Sequence, residues 1–222
     1  MENGAAHPSK GSFIVFEGVE GSGKSTALVA AATYLRGATY PVTETREPGA
    51  TEIGKSIRSV LLDHKNTAMT PKAELFLFAA DRAQHIAQVV KPALERGEHV
   101  LCDRYIYSNF AYQGFGRGID LGLLRTVNSL ATESLLPDLV ILFDLDPKIG
   151  LERAKSRVGG WTRFEADTIQ FHSRVRDGFL KLAADDSSRF SIIDASQSVD
   201  KVASETIELL KKRMSLREQS GK

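Results

Sequence analysis

The sequence has very little cysteine. Cys102 is the single cysteine among 222 residues, and it lies in the apolar run Val100-Leu101-Cys102. One cysteine cannot form an intramolecular disulfide, so we expect a buried core thiol in a protein of the reducing cytoplasm. A histidine-based metal centre is not indicated either. No metal-ligand spacing relates the five histidines, His7, His64, His85, His99 and His172.

Long hydrophobic runs and an excess of charge of one sign are also missing. No apolar run approaches the roughly 20 residues that span a bilayer, and residues 1–10 lack the apolar core of a signal peptide. Lys and Arg number 29 against 28 Asp and Glu, which gives a net charge of +1. Overall charge therefore does not favour a nucleic acid or a membrane surface, and we expect neither as a partner.

Strand and helix patterns alternate along the chain, which predicts βαβ units and an α/β fold with a parallel sheet. Strands are predicted at residues 12–17, 41–46, 99–103, 139–144 and 189–193. Helices are predicted at residues 24–35, 71–96, 121–132, 148–157, 166–184 and 199–214, with a kink or break near Pro92. We expect a single domain over 12–214, and flexible tails at 1–11 and 215–222.

The first predicted strand runs into a glycine-rich loop that opens a helix. Residues 18–26 read GVEGSGKST and contain G-x-x-x-x-G-K-[ST], the phosphate-binding P-loop. Glycines let backbone N–H groups turn around a phosphate, and the helix N-terminus adds donors and a positive dipole. We expect Lys24 to reach the β- and γ-phosphates and Ser25 to bind Mg²⁺. The predicted ATP-binding residues are Gly18, Val19, Glu20, Gly21, Ser22, Gly23, Lys24, Ser25 and Thr26.

Polar residues also follow the second and third predicted strands, at the edge where parallel sheets bind ligands. Asp103 would hold Mg²⁺ beside Ser25, and Arg104 would bind a phosphate. Arg46 precedes the turn Glu47-Pro48-Gly49 and is interpreted as a second phosphate-binding arginine. The alternatives are a surface ion pair for Asp103 and Arg104, and a solvated loop charge for Arg46.

Phe78 and Arg82 lie four residues apart on a predicted helix and share a face. A ring and a guanidinium so placed suit a nucleobase, but a core phenylalanine and a solvated arginine are the more typical roles. Glu20 puts a carboxylate beside phosphates, where a neutral partner such as a sugar hydroxyl would suit it. The alternative for Glu20 is an outward-pointing loop charge.

Three arginines flank the segment Val158-Gly159-Gly160-Trp161. Arg153 and Arg157 share a helical face and Arg163 follows the glycines, which indicates a hinged basic lid over about residues 153–164. Phosphoryl transfer favours such a lid, because negative charge spreads over the oxygens of the transferred group. A solvated basic face is the alternative.

Together these motifs resemble those of thymidylate kinases. The resemblance rests on the P-loop with Glu20, residues 45–49, Phe78 with Arg82, and residues 103–114, which run from Asp-Arg-Tyr to Tyr-Gln-Gly. It implies a P-loop NTPase three-layer fold with a five-stranded parallel sheet flanked by helices. It also implies transfer of the ATP γ-phosphate to dTMP with Mg²⁺, and a homodimer.

The resemblance implies roles for individual residues. Phe78 would stack on thymine, Arg82 would bond its exocyclic oxygen, and Tyr112 would lie under the deoxyribose with Glu20 on the 3′-hydroxyl. Since the P-loop has no arginine, the chain resembles the version of the family with catalytic lid arginines. The implied dTMP-binding residues are Glu20, Arg46, Phe78, Arg82, Arg104, Ser108, Asn109, Tyr112 and Gln113. The implied catalytic residues are Lys24, Asp103, Arg104, Arg153, Arg157 and Arg163, and the metal ligands are Ser25 and Asp103.

Two other functions remain open at this point. A different nucleoside or nucleotide kinase would differ only in its acceptor, although Phe78, Arg82 and Tyr112 favour thymine and deoxyribose. A P-loop switch or regulatory ATPase that binds a protein would need a switch segment and a water-positioning residue. Neither is clear in the sequence.

Overall fold

The protein is built on a parallel β-sheet flanked by helices. The computed structural model describes residues 11–155 and 162–220, with side chains as far as residue 213. The strands are β1 Phe13–Gly18, β2 Val42–Arg46, β3 His99–Asp103, β4 Leu139–Asp144 and β5 Phe190–Asp194. They form one five-stranded parallel sheet in the order β2-β3-β1-β4-β5. The predicted fold class and all five predicted strands are confirmed, each to within one residue.

The central strands β1 and β4 are buried along almost their whole length. Phe16 of β1 stacks on Phe143 of β4, with ring centroids 5.8 Å apart. Cys102 of β3 is completely buried, which confirms the predicted core thiol. Helical cover on the sheet explains why these strands have nearly continuous apolar sequences.

Helices connect the strands and flank the sheet. The α-helices are α1 Lys24–Gly37, α2 Glu52–Leu62, α3 Pro71–His85, α4 Lys91–Glu95, α5 Ile106–Asn109, α6 Leu121–Thr132, α7 Pro147–Lys155, α8 Ile169–Asp185 and α9 Val199–Ser220. π-Helical segments at Ile86–Val90 and Phe110–Gly116 follow α3 and α5. Near Pro92 the structure shows a change of helix type instead of a break, because π-helical turns at Ile86–Val90 join α3 directly to α4. Pro92 has no N–H to donate to the preceding turn, and the wider π-helical turns lie directly before it.

The sequence interpretation missed α2 and the helical turns after β3. Thr51 caps α2, and its hydroxyl oxygen accepts a hydrogen bond from the Gly54 N–H at 2.9 Å. A threonine before an amphipathic stretch is a helix-start signal, which the sequence interpretation did not use here. α5 and the π-helical segment place residues 106–116 on helical turns.

The C-terminal helix α9 is longer than predicted. It extends to Ser220 rather than Met214, so residues 215–220, which we expected in a flexible tail, continue the helix. Although α9 has 22 residues, neither it nor another helix within 11–155 and 162–220 is apolar enough to cross a membrane.

Candidate active site

A cavity of about 760 Å³ lies beyond the carboxyl ends of β1, β2 and β3, where an open parallel sheet binds its ligands. Most of the predicted site residues line it. They are Glu20, Gly21, Gly23, Lys24, Ser25, Thr26, Arg46, Phe78, Arg82, Asp103, Arg104, Ser108, Asn109, Tyr112, Gln113 and Arg153. Gly18, Val19 and Ser22 are buried in the loop behind it. The fold therefore gathers residues from five separate sequence motifs around one space.

The phosphate-binding loop wraps around the ammonium group of Lys24. The Nζ atom donates hydrogen bonds to the carbonyl oxygens of Gly18 at 3.0 Å and Val19 at 2.8 Å. Burial lowers the pKa of Lys24 to about 8, and the positive charge of Arg104 acts in the same direction. A phosphate between these two cations would relieve both the burial cost and their repulsion.

A close backbone contact with α7 requires glycine at position 21 of the loop. Gly21 has a φ of +68°, and a Cβ atom on it would lie 2.1 Å from the carbonyl oxygen of Gly150 in α7. A Cβ atom on Gly150 would in turn lie 2.3 Å from the carbonyl oxygen of Glu20. The loop and α7 therefore touch through backbone alone, with no space for a side chain between them.

Ser25 and Asp103, the predicted metal ligands, lie side by side. The Ser25 hydroxyl donates a hydrogen bond to the Asp103 carboxylate at 2.6 Å. Magnesium prefers such oxygen ligands and completes its shell with substrate phosphates and water, so this pair fits the predicted ion. Within residues 11–155 and 162–220, no group of three His, Cys, Asp or Glu side chains is placed to hold a metal.

Arg104 forms part of the cavity wall rather than a surface ion pair. Its backbone has a φ of +73°, a left-handed conformation that is uncommon outside glycine. The guanidinium donates to the Gly18 carbonyl at 3.0 Å, to Ser108 Oγ at 3.1 Å and to Glu20 Oε1 at 3.2 Å. Burial opposes its charge, but the neighbouring Tyr112 and Glu20 raise the pKa of Arg104, so it stays a cation.

Glu17, inside β1, is a buried carboxylate that the sequence analysis did not assign to the site. It accepts hydrogen bonds from the Tyr105 N–H at 2.9 Å, the Ser108 N–H at 3.0 Å and the Ser108 hydroxyl at 2.6 Å. Burial raises the pKa of Glu17 to about 7, although Arg104 and these hydrogen bonds act against the rise. Glu17 thereby fixes the turn that presents Arg104 and Ser108. A charged residue within an otherwise apolar strand was the signal for it.

Glu20 faces the cavity, so the outward-pointing alternative is wrong. The Tyr112 hydroxyl donates to Glu20 Oε1 at 2.5 Å, and His172 Nδ1 lies 3.5 Å from Oε2. Burial opposes ionisation, but His172, Arg104 and Lys24 together bring the pKa of Glu20 far below its usual range. Glu20 is therefore a fixed acceptor, and His172, which sequence reasoning passed over, is one of its neighbours.

An aromatic cluster forms another part of the wall. The Phe164 ring lies 5.9 Å from the centroid of Phe78 and 5.9 Å from that of Tyr112. Phe164 was not predicted, because nothing in the lid sequence distinguishes it from a core residue. Tilted and edge-on aromatic rings of this kind suit a flat apolar ligand such as a nucleobase.

Arg82 is only 1% exposed, so its interpretation as a solvated arginine is wrong. Nε donates to Glu47 Oε2 at 2.8 Å, and Nη2 donates to the Tyr105 carbonyl at 3.2 Å. Nη1 donates to Asn128 Oδ1 at 2.6 Å and also to Asn109 Oδ1. The guanidinium is thus held in one orientation at the cavity wall.

The arginines of the predicted lid occupy different places. Arg153 lines the cavity, and its Nη1 donates to the Ala195 carbonyl at 2.9 Å. Arg163 lines a separate cavity of about 330 Å³, where it donates to Glu74 at 2.5 Å and to the Leu61 carbonyl at 3.2 Å. Arg157 lies outside the described residues. The structure therefore brings Arg153 to the predicted site and does not bring Arg163 there.

Further cavity residues were not assigned to the site from sequence. They are Glu47, Pro48, Arg58, Leu62, Tyr105, Ala154, Thr162, Phe164 and Glu165. Arg58 and Leu62 were missed because their helix, α2, was missed. Arg58 donates to the Pro48 carbonyl at 2.8 Å. Burial lowers the pKa of Arg58, and Arg46 adds to this, which marks a third cation at this end of the cavity.

Comparisons with known proteins agree with this geometry. The family model for thymidylate kinase matches residues 16–206. The thymidylate kinase of Nitratidesulfovibrio vulgaris (strain DP4) is 50% identical over 201 residues, 88% of this chain and 90% of that protein. The thymidylate kinase of Trichlorobacter lovleyi is 51% identical over 197 residues, 86% of this chain and 93% of that protein. The crystal structure of thymidylate kinase from Ehrlichia chaffeensis superposes with a TM-score of 0.73 at 34% identity, covering 90% of this chain and 98% of that one.

Proposed function

The chain belongs to the thymidylate kinase family, and we propose that it transfers the γ-phosphate of ATP to dTMP, giving ADP and dTDP. The observation that carries the proposal is the shared cavity. Its wall contains both the phosphate-binding loop with Lys24 and the aromatic pair Phe78 and Tyr112. Two nucleotides entering from these sides would meet at their phosphates.

At the donor side, the loop amides and Lys24 bind the ATP phosphates. Ser25 and Asp103 would hold Mg²⁺, which, when bound, neutralises charge on the phosphate oxygens. Lys24 exchanges its bonds to the loop carbonyls for bonds to phosphate oxygens. Because Lys24 already lies inside the loop that binds the phosphates, its Nζ atom has only a short distance to move between the two sets of acceptors.

At the acceptor side, Arg46 and Arg104 bind the dTMP phosphate. Phe78 stacks on the base, and Asn109 and Arg82 face its edge. Glu20, held as a carboxylate by Arg104, accepts from the 3′-hydroxyl, and Tyr112 packs under the deoxyribose. The close Tyr112 hydroxyl and Glu20 carboxylate support this arrangement, since together they leave little room beside the sugar.

Phosphoryl transfer then requires positioning and charge neutralisation. The acceptor is a phosphate oxygen that is already largely ionised near neutral pH, so no general base is needed. Lys24, Arg104 and Arg153 surround the transferred group with positive charge. Arg153 is the lid arginine that the cavity geometry favours.

A coupled spectrophotometric assay with ATP and Mg²⁺ tests the proposal. The acceptor panel is dTMP, dUMP, dCMP and UMP, and we expect dTMP to have the highest kcat/KM. Preference for a different acceptor would identify another nucleotide kinase. Phosphate release at full rate without an acceptor would instead identify a P-loop ATPase.

We also propose that the protein acts in the cytoplasm as a homodimer, as the family resemblance implies. The dimer has support from an apolar surface on α2, α3 and α6, which pack side by side. Ile53 and Val60, seven residues apart on α2, are 55% and 43% exposed, and Phe76 on α3 is 57% exposed. Leu123 and Leu130, again seven apart, expose 38% and 77% on α6. A second copy of the chain would cover this surface.

Analytical ultracentrifugation tests the dimer. We expect the wild-type protein to sediment as a dimer and Phe76→Asp to sediment as a monomer. Val29→Asp is the matched control, because Val29 is 57% exposed on a different helix, α1. A monomeric wild-type protein, or equal effects of the two substitutions, would contradict the proposal.

A further inference from the structure

A continuous chain of hydrogen bonds connects Glu74 to Arg82 through two amide side chains. Gln113 Nε2 donates to Glu74 Oε1 at 2.7 Å. Asn109 Nδ2 donates to Gln113 Oε1 at 2.7 Å, and Arg82 Nη1 donates to Asn109 Oδ1. All four residues are about 1% exposed, so the chain is shielded from water. We call it the amide relay.

The two ends of the amide relay fix the orientation of both amides. A carboxylate can only accept hydrogen bonds and a guanidinium can only donate them. Gln113 must therefore turn its NH₂ toward Glu74, and its carbonyl is left to accept from Asn109. Asn109 must then turn its carbonyl toward Arg82. Any flip of one amide would place two donors or two acceptors against each other.

Two arginines bind Glu74 from its other side. Arg163 Nη2 donates to Glu74 Oε2 at 2.5 Å, and Arg117 Nε donates to Oε1 at 3.4 Å. Arg117 is itself paired in a bidentate contact with Asp167, both N–O distances being 2.8 Å. Glu74 lines the smaller cavity with these arginines, while Gln113, Asn109 and Arg82 line the main one. Within the described residues, the amides are its hydrogen-bonded route to the main cavity. Arg163 gives a second contact, since its guanidinium lies 4.8 Å from the centroid of the Phe164 ring.

Asn109 and Arg82 both line the main cavity, where the Asn109 carbonyl oxygen, an acceptor, lies beside the Nη1 donor of Arg82. Thymine matches this order, because its N3–H donor lies beside the O4 acceptor. Cytosine reverses it, with an N3 acceptor beside an amino donor, so both groups would meet like partners.

We propose that Glu74 is a positioning residue that determines the preference for thymine over cytosine, by fixing the orientation of Gln113 and Asn109. The inference rests on the proposed function and adds the origin of its base selectivity. A glutamine at position 74 can satisfy Arg163 only with its carbonyl, which turns its NH₂ toward Gln113. The side chains at both ends of the amide relay then donate hydrogen bonds. One of the two amides between them must therefore lose a hydrogen bond or flip.

The experiment measures kcat/KM for dTMP and for dCMP in the wild-type protein and in Glu74→Gln. We expect the dTMP-to-dCMP ratio to fall by roughly tenfold or more, the effect of misplacing one buried hydrogen bond. Asp167→Asn is the matched control. It removes a carboxylate partner of Arg117 but contacts neither Gln113 nor Asn109 within the described part of the chain, so its ratio should stay at the wild-type value.

A second variant protects the test against a folding defect in Glu74→Gln. Gln113→Met interrupts the relay in its middle and leaves Glu74 paired with both arginines, and we expect a similar fall in the ratio. Unchanged ratios in folded Glu74→Gln and Gln113→Met would overturn the inference. A wild-type protein that does not phosphorylate dTMP would instead overturn the proposed function, so the two failures are distinguishable.

Discussion

The Ser25 hydroxyl and the Asp103 carboxylate are joined by a 2.6 Å hydrogen bond, although 78 residues separate them in sequence. The contact arises because β1 and β3 are parallel neighbours, so the start of α1 and the end of β3 meet at one sheet edge. The two oxygen groups are therefore already adjacent, as a shared Mg²⁺ ion requires.

This arrangement predicts that Asp103→Asn weakens Mg²⁺ binding without unfolding the protein. The amide can still accept from Ser25 but has no charge to attract the ion. We expect the Mg²⁺ concentration for half-maximal activity to rise at least about tenfold. Asp146→Asn, in the turn after β4, is the control and should behave as wild type. A wild-type Mg²⁺ dependence in Asp103→Asn would remove Asp103 from the metal site.

The lowered pKa of Lys24 predicts that activity falls at alkaline pH. Because its pKa is lowered to about 8, the free enzyme holds a charged ammonium below that pH and loses the charge above it. We expect kcat/KM for ATP to fall as pH rises through about 8, since this parameter reports ionisations of the free enzyme. Lys24→Arg, which keeps its charge, should lack this limb even if its rate is lower. A flat wild-type profile up to pH 10 would contradict the prediction.

Replacement of Lys24 by alanine should affect catalysis more than folding. It removes a charge-stabilising donor, which typically costs about 10²–10³ in rate. It also removes a buried charge, so the melting temperature should change little. Near-native turnover in Lys24→Ala would refute the role of this residue.

The raised pKa of Glu17 predicts that the free energy of unfolding depends on pH. Its pKa is about 7 in the folded protein, against an ordinary value of 4.5, so between these values the native state holds a proton that the unfolded chain releases. Stability therefore falls as pH rises through this window, by about 3 kcal/mol for the full shift. Urea denaturation from pH 4.5 to 8 should show this loss in the wild-type protein and a smaller one in Glu17→Gln.

The control for Glu17 is Glu152→Gln, since the Glu152 side chain is 70% exposed. Its stability should follow the wild-type protein across the same range. If Glu17→Gln and the wild-type protein lose stability in parallel, the Glu17 carboxyl is not the group that titrates.

The lid arginines should differ in their contribution to the rate. Arg153 faces the cavity, so Arg153→Ala is expected to lower kcat by about 10²–10³. Arg163 is bound to Glu74 beside the smaller cavity, so Arg163→Ala should lower kcat less than about tenfold. Steady-state kinetics with saturating ATP and dTMP measures both. Equal losses would show that Arg163 moves to the reacting phosphates when substrates bind.

Local patterns in the sequence predicted most of the fold. The strands are short apolar runs separated by segments whose apolar residues recur with the period of a helix. The phosphate-binding loop is defined by residues that are adjacent in sequence. α2 was missed although Thr51, at its start, is a typical N-cap residue. The end of α9 was missed because its last turns are polar, and no apolar pattern marks where such a helix stops.

The site was predictable where one motif supplies the chemistry and unpredictable where burial reverses a residue's usual role. Arg82 looked like a solvated arginine, yet it is buried and bound by Glu47, which follows β2, and by Asn109 of α5 and Asn128 of α6. Glu17, Glu74 and His172 act through contacts with distant segments, which no spacing reveals. Arg163 lies in the predicted lid segment, where a catalytic arginine was expected. The buried Glu74 carboxylate binds it beside the smaller cavity instead.

The bare backbone contact between Gly21 and Gly150 has a mechanical consequence. Helix α7, which carries Arg153, contacts the phosphate-binding loop directly, with no side chain between the two backbones. A shift of the loop on binding phosphate would therefore press directly on α7. We expect the binding of the donor nucleotide and the position of Arg153 to be coupled through this contact.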